Sequence, residues 1–314
     1  MNKSVLQLSP EHLLEPPFSL GAVTDSVRLI TSRRFSQAER IWLLRSLLAP
    51  AASVRWSAFI GKLYERYAHA APNTAVLSRP LRNFGIRGLS PGRRVGLMCC
   101  HHAMMERVFR PEFLSRVYTN TFIDLAILES KGVHFRIGLC NSGRLTMPRE
   151  GELAFFFQNI DTGAYLAKKS VFLSMVKGEP VLVIGGVQGS PGAKTSIIAA
   201  TRKMHGLRPK DAVLLAVRAF AYDIGIAEVQ AVSNAAHVIT ADNRQRKFSD
   251  YDDYWVERGA TPAQPYGFRM PARIEAIEGG KGRDELKRQI VTTVDTTVAG
   301  WLRPGSAHVP TTLT

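Results

Sequence analysis

Two histidines and an asparagine frame the chemistry this chain could do. His237 follows the apolar run EVQAVSN, with Asn234 three residues before it, and His205 opens the string HGLRPK. Histidine titrates near neutrality, so it can take a proton from an attacking amine or hydroxyl, while an amide one helical turn away can orient a carbonyl. Upstream lies a glycine-rich turn: Gly185, Gly186, Gln188, Gly189 and Gly192 follow VLVI, and Lys194 comes next. A loop of this kind opening a helix leaves its N–H groups free to cradle phosphate. Arg208 and Lys210, at the start of a second helix, can add charge to the same anion.

Each of these residues also admits a structural role. The glycines suit a tight turn or a bulge packed closely on a helix. Asn234 suits a helix cap, and His237 a buried hydrogen bond. In HGLRPK, Gly206 can end one helix and Pro209 open the next.

Other constellations point less far. His102 and Glu106 have i, i+4 spacing beside His101, but the chain has no HEXXH string and no further ligand cluster, so no metal is expected. Cys99, Cys100 and Cys140 are odd in number, which argues against a disulfide framework, and Cys99 and Cys100 read as buried thiols. Asp250, Asp252, Asp253 and Glu257 read as a charged helix face more readily than as a general base.

These residues need elements to hold them. Ser36 and Glu39 have capping-box spacing before RIWLLRSLLAP. In VRWSAFIGKLYERYAHA, Trp56, Phe59, Ile60, Leu63, Tyr64 and Tyr67 recur at helical spacing. Residues 71–94 read as a linker, and a third helical region breaks near Pro111. From about residue 121 the pattern becomes strands. LAILES and VHFRIGL are joined at Lys131–Gly132, and ELAFFFQN and YLAKKSVFLSMV at Asp161–Thr162–Gly163. VLVIGGV then leads to helices near 193–204 and 209–224, the strand EVQAVSN and a final helix in DELKRQIVTTVDTTV. The predicted fold class is α+β: a basic helical N-terminal region, residues 1–95, and an antiparallel meander with flanking helices, residues 96–314.

The charge is uneven. Of a net +15, an excess of ten falls in residues 1–120, which hold 17 Lys and Arg against 7 Asp and Glu. This favours anionic partners: acidic headgroups, a phosphate-bearing cofactor, a carrier protein or nucleic acid. No nucleic-acid module motif is present, so nucleic acid is not expected. No run reaches the roughly 20 apolar residues of a membrane span, and the N-terminus does not read as a secretory signal. A cytoplasmic protein is expected, peripheral at the inner membrane if the basic helices lie on anionic lipid.

IGGVQG at 184–189, HGLRPK at 205–210, VSNAAH at 232–237 and DYDDYW at 250–255 resemble the VirK/YbjX family of Gram-negative bacterial proteins. The resemblance covers about residues 35–275. It implies a link to virulence and to tolerance of antimicrobial peptides, and it does not itself supply a reaction. More distantly, the order of meander, glycine-rich loop, helix and strand-end Asn is similar to the N-acetyltransferase superfamily. That likeness implies an acyltransferase-like fold and a coenzyme A thioester on the loop. The chain departs from that superfamily's usual loop, because Gln188 is followed three residues on by Pro191, and an additional helix precedes the next strand.

The expected function is transfer of an acyl group from acyl-CoA or an acyl-carrier protein to an amine or hydroxyl of an envelope-related small molecule, lipid or peptide. Asn234, His237 and His205 would be catalytic, and Gly186, Gln188, Gly189, Gly192, Lys194, Arg208 and Lys210 would bind the donor. The rival expectation is a non-enzymatic protein that binds anionic membrane through its basic helices, Arg33, Arg34, Arg40 and Arg45 among them.

Overall fold

The computed structural model describes residues 36–239 and 250–305; the Pro-rich lead-in, Arg33, Arg34 and residues 243–249 lie outside them. Helix α1, Gln37–Leu48, starts on the capping box the sequence spells: the Ser36 hydroxyl accepts from the Glu39 N–H, and the Glu39 carboxylate accepts from the Ser36 N–H at 2.7 Å. Helix α2, Pro50–Ala68, buries Trp56, Ile60, Leu63 and Tyr67 on one face. The stretch read as a linker is instead ordered core. It holds the short helix α3, Thr74–Leu77, a 3-10 turn at Arg79–Leu81, and the buried side chains of Arg79, Pro80 and Phe84. Helices α4, Pro91–Val108, and α5, Pro111–Tyr118, divide at Pro111 as the ring requires.

The sheet follows. Strands β1 (Ile123–Ser130), β2 (Val133–Asn141), β3 (Leu153–Asn159), β4 (Tyr165–Val176) and β5 (Glu179–Gly189) form an antiparallel meander. Helices α6 (Lys194–Lys203) and α7 (Pro209–Asp223) cross over to β6 (Glu228–Val232), which pairs parallel with β5. Helix α8 (Tyr251–Val256) leads to β7 (Thr261–Ala263) and β8 (Gly267–Pro271), and α9 (Arg283–Trp301) closes the described chain. The strand order is β1-β2-β3-β4-β5-β6-β8-β7. The small β7–β8 pair went unread in the sequence because three- and five-residue strands carry almost no periodicity.

Both faces of the sheet are covered. Phe155, Phe156 and Phe157 of β3 are all fully buried. Phe155 meets Phe220 of α7 edge-on at 5.2 Å, while Phe156, on the other face, meets Phe122 at 5.0 Å. One hydrophobic core runs from Ala52 to Leu302, and the expected domain boundary at residue 95 falls inside α4, where Val95 is itself core. The aromatic stripe of α2 belongs to that core. Helix α1 does not: it buries no residue and leaves Leu44, Leu47 and Leu48 at 65%, 76% and 86% exposure.

Candidate functional site

The parallel pair decides where a site forms. β5 and β6 run in register from Val181↔Glu228 to Ile184↔Ala231 and then part. At that point β5 carries a bulge against β4: Ser170 pairs with Gly186 and Val171 with Ile184, leaving Gly185 without an opposite residue. A bulge bends a strand and increases its twist, and the carboxyl ends of diverging parallel strands open a crevice.

Glu150 fills the crevice. A Cβ on Gly185 would lie 2.8 Å from the Glu150 carbonyl carbon, and one on Gly186 would lie 2.5 Å from its carboxylate carbon. These two glycines therefore make room for a buried acid, which corrects the reading of Gly186 as part of a phosphate cradle. Gln188 is corrected with it: its Nε2 donates to both Glu150 carboxylate oxygens at 3.1 Å. Ser170 Oγ donates to Oε2 at 3.5 Å.

His237 completes the group. Its ring is buried, with Nε2 3.4 Å from Glu150 Oε1. The Ile239 N–H faces Nδ1 at 3.3 Å. Tyr251 stacks on the imidazole at 4.8 Å between centroids, and its hydroxyl accepts from the Val187 N–H at 3.1 Å, closing the β5 edge. His237 thus sits beside a carboxylate that no spacing in the chain links to it, because Glu150 lies on the β2–β3 connection.

Asn234 is placed otherwise. It is exposed; its Oδ1 accepts from the Tyr251 N–H at 3.0 Å and its Nδ2 donates to Asp250 at 2.8 Å. Asp250 is the N-cap of α8, so Asn234 ties the β6 end to that helix and its amide is spent there. The Asp252 carboxylate accepts from its N–H at 2.8 Å. His205 is exposed, with φ 52° in the turn between α6 and α7. That end of α6 is tied to the β1–β2 turn through Ser130 and Lys131, so the structure does not bring His205 to His237. Gly192, at φ 73°, shapes the turn into α6, whose first residue is the exposed Lys194.

Lys210 lies beside Gly189 of the loop, and Arg208 shares a cavity with Lys210. A cavity of about 690 Å³ lies between α6, α7 and α8, lined by the apolar Ile197, Ile198 and Pro209, the cations Arg202, Arg208 and Lys210, and the carboxylates Asp250, Asp253 and Glu257. Gly189 borders the same region, 3.9 Å from Lys210 Cε if given a Cβ. Tyr254 lines the cavity too, with Arg258 stacked on it at 3.6 Å. Beneath it lies Lys169, fully buried, whose Nζ donates to the Tyr254 hydroxyl at 2.8 Å and faces the Trp255 ring at 5.3 Å. Burial holds this amine well below the usual lysine range, reinforced by the nearby Arg258 and Lys210 charges and opposed by Asp211.

The remaining candidates are structural. His102 Nδ1 bonds the Tyr118 hydroxyl at 2.8 Å, Glu106 is taken by Arg66 and Tyr67, and no group of three metal-ligating side chains occurs among the described residues. The three cysteines are buried and free, and burial lifts the Cys99 and Cys140 thiols to about 12.

A bulged antiparallel meander that closes with one parallel pair, with a buried Glu–His group where that pair divides, defines the class: an α+β protein with a crevice at its strand ends. The family described as "Protein of unknown function (DUF535)" matches residues 32–280. The chain is 27% identical over 259 residues to "Uncharacterized protein YbjX" of Escherichia coli (strain K12), covering 79% of this chain and 78% of that protein. The chain belongs to the DUF535 family, that of VirK and YbjX.

Proposed function

We propose that this protein is an acyltransferase that moves an acyl group from a thioester donor, on coenzyme A or a carrier protein, to an amine or hydroxyl of an envelope-related lipid or peptide. One observation carries the reading: the β5–β6 divergence at the Gly185 bulge holds the Glu150–His237 pair. The neighbouring cavity between α6, α7 and α8 offers both cations and apolar side chains, with Asp250, Asp253 and Glu257 among them. Arg202, Arg208 and Lys210 suit the donor's phosphates, and Ile197, Ile198 and Pro209 suit its acyl or pantetheine chain.

In this reaction the acceptor nitrogen or oxygen attacks the thioester carbonyl. The C–N or C–O bond forms, the C–S bond breaks, the acceptor's proton passes to the Glu150–His237 pair, and the pair returns that proton to the departing thiolate. Tyr251 stacks on the His237 ring and forms one wall of the pair. The test is titration of the protein with acetyl-CoA, palmitoyl-CoA and acyl-carrier protein. The expected result is binding of at least one donor, weakened tenfold or more by Arg208→Ala with Lys210→Ala. Absence of binding by all three overturns the reading.

A second reading rests on α1, whose exposed Leu44, Leu47 and Leu48 stand beside Arg40 and Arg45. A helix with bare leucines and arginines suits the surface of an anionic bilayer. Sedimentation with phosphatidylglycerol vesicles tests it. Loss of binding in Leu44→Gln with Leu47→Gln is expected, and indifference to those changes discards it.

A further inference from the structure

We propose that a second cavity, on the helical side of the sheet, is a binding site for a phosphate group. It has a volume of about 320 Å³ and lies between α2, α3, α5 and the β2–β3 connection. Arg79, Arg82 and Arg149 line it together with Asn141, Tyr64 and Tyr118. Among the described residues that line it none is a carboxylate. The thioester cavity, by contrast, carries Asp250, Asp253 and Glu257 among its cations.

The arginines differ in how they are held. Arg79 is 8% exposed; one arm of its guanidinium is paired with buried Glu152, and the other donates to Asn141 Oδ1 at 2.8 Å. This fixes a buried cation at the cavity wall. Arg82 and Arg149 are exposed at the rim, and among the described residues neither forms an ion pair. Arg45 stands close enough that its charge and that of Arg149 both act against the Arg82 guanidinium, after burial. Glu152 neutralises Arg79, whereas the Arg82 and Arg149 guanidiniums repel one another at the rim, and a bound oxyanion accepting from both forks relieves that repulsion. Tyr64 and Tyr118 give the cavity a polar aromatic wall, suited to the organic part of a phosphate ester. The chemistry is shared by a free phosphate ester and a phospholipid headgroup, and the site is independent of the thioester reading.

Calorimetric titration with inorganic phosphate and with glycerol 3-phosphate, at ionic strength held constant with chloride, tests the free ligand. Sedimentation with phosphatidylglycerol vesicles tests the headgroup. Arg79 is tied into the core, so the variant is Arg82→Gln with Arg149→Gln, both at the rim. Saturable binding of either soluble phosphate, weakened tenfold or more in that variant, supports a free-phosphate site. Vesicle binding lost in that variant, with no soluble phosphate bound, supports a headgroup site. If neither probe binds, or the arginine variant binds both as wild type does, the proposal is overturned. Vesicle binding that depends on Leu44 and Leu47 but not on the arginines also overturns the headgroup arm, while leaving the α1 reading intact.

Discussion

Gly186 faces the Glu150 side chain so closely that a Cβ would stand 2.5 Å from the carboxylate carbon. Gly185, one residue earlier, meets the Glu150 backbone instead. Adjacent glycines therefore serve different parts of one buried residue. Gly186→Ala is expected to cost about 2 kcal/mol or more, the scale of overpacking a filled core. Adding Glu150→Ala removes the group that clashes, so the double variant should be more stable than the sum of the single changes predicts. Gly185→Ala meets backbone, and the same partner should not rescue it. Denaturant melts of wild type, the three single variants and the two doubles with Glu150→Ala check this, and strict additivity at Gly186 contradicts it.

The two adjacent histidines of α4 set a pH dependence. His101 Nδ1 accepts from the Leu173 N–H at 3.1 Å in a fully buried site, and burial, with the Arg79 charge behind it, lowers its pKa to about 3. His102 is pushed well below its usual range, by burial first and then by His101 and Arg79. A histidine depressed on folding leaves the unfolded chain with the extra proton, so stability falls as pH drops below 6.5 towards 3. Each such group contributes up to about 1.4 kcal/mol per pH unit in that window. Glu152, raised by burial against the pull of Arg79, acts in the opposite sense only above its ordinary value of 4.5. His101→Gln is expected to flatten the stability profile between pH 6 and pH 4, and an unchanged slope speaks against the assignment.

Much of the fold is legible in the residues. The turns at Lys131–Gly132 and Asp161–Thr162–Gly163, the Ser36 box and Pro111 each act within a few positions of the chain, and each appears where local chemistry puts it. The site is legible only in part. His237 and Gly186 stand out by type, yet their meaning depends on Glu150, more than 30 residues upstream on a connection without periodicity. Glycines that admit a phosphate and glycines that admit a buried carboxylate look alike in sequence, because both are only missing side chains. Lys169 was equally hidden: in YLAKKSVFLSMV it reads as the polar side of a strand, and only α8, packed over it, turns that position inward.

Asn234 holds α8 by donating and accepting at its first turn. Asn234→Ala removes the two hydrogen bonds that tie Asp250 and Tyr251 to the β6 end, a loss of about 1 kcal/mol. If the amide serves only this, Asn234→Ala should lower the melting temperature by about 2 °C while leaving donor affinity within twofold. A loss of affinity with the melting temperature unchanged would assign Asn234 to the bound donor instead.

Lys169 gives the sharpest test of the packing beneath the cavity. Its amine is fully buried on β4, against the Tyr254 hydroxyl and the faces of Tyr254 and Trp255, and burial holds its pKa well below 10.5. The unfolded chain keeps the lysine proton until about 10.5, whereas the fold gives it up at lower pH. Wild-type stability should therefore gain, relative to Lys169→Met, as pH rises from 7 to 10, by up to about 1.4 kcal/mol per unit. Methionine keeps the length and loses the cost of discharging an amine, so the variant should melt no lower than wild type at pH 7. Parallel pH profiles for the two proteins would place a charged amine at this position.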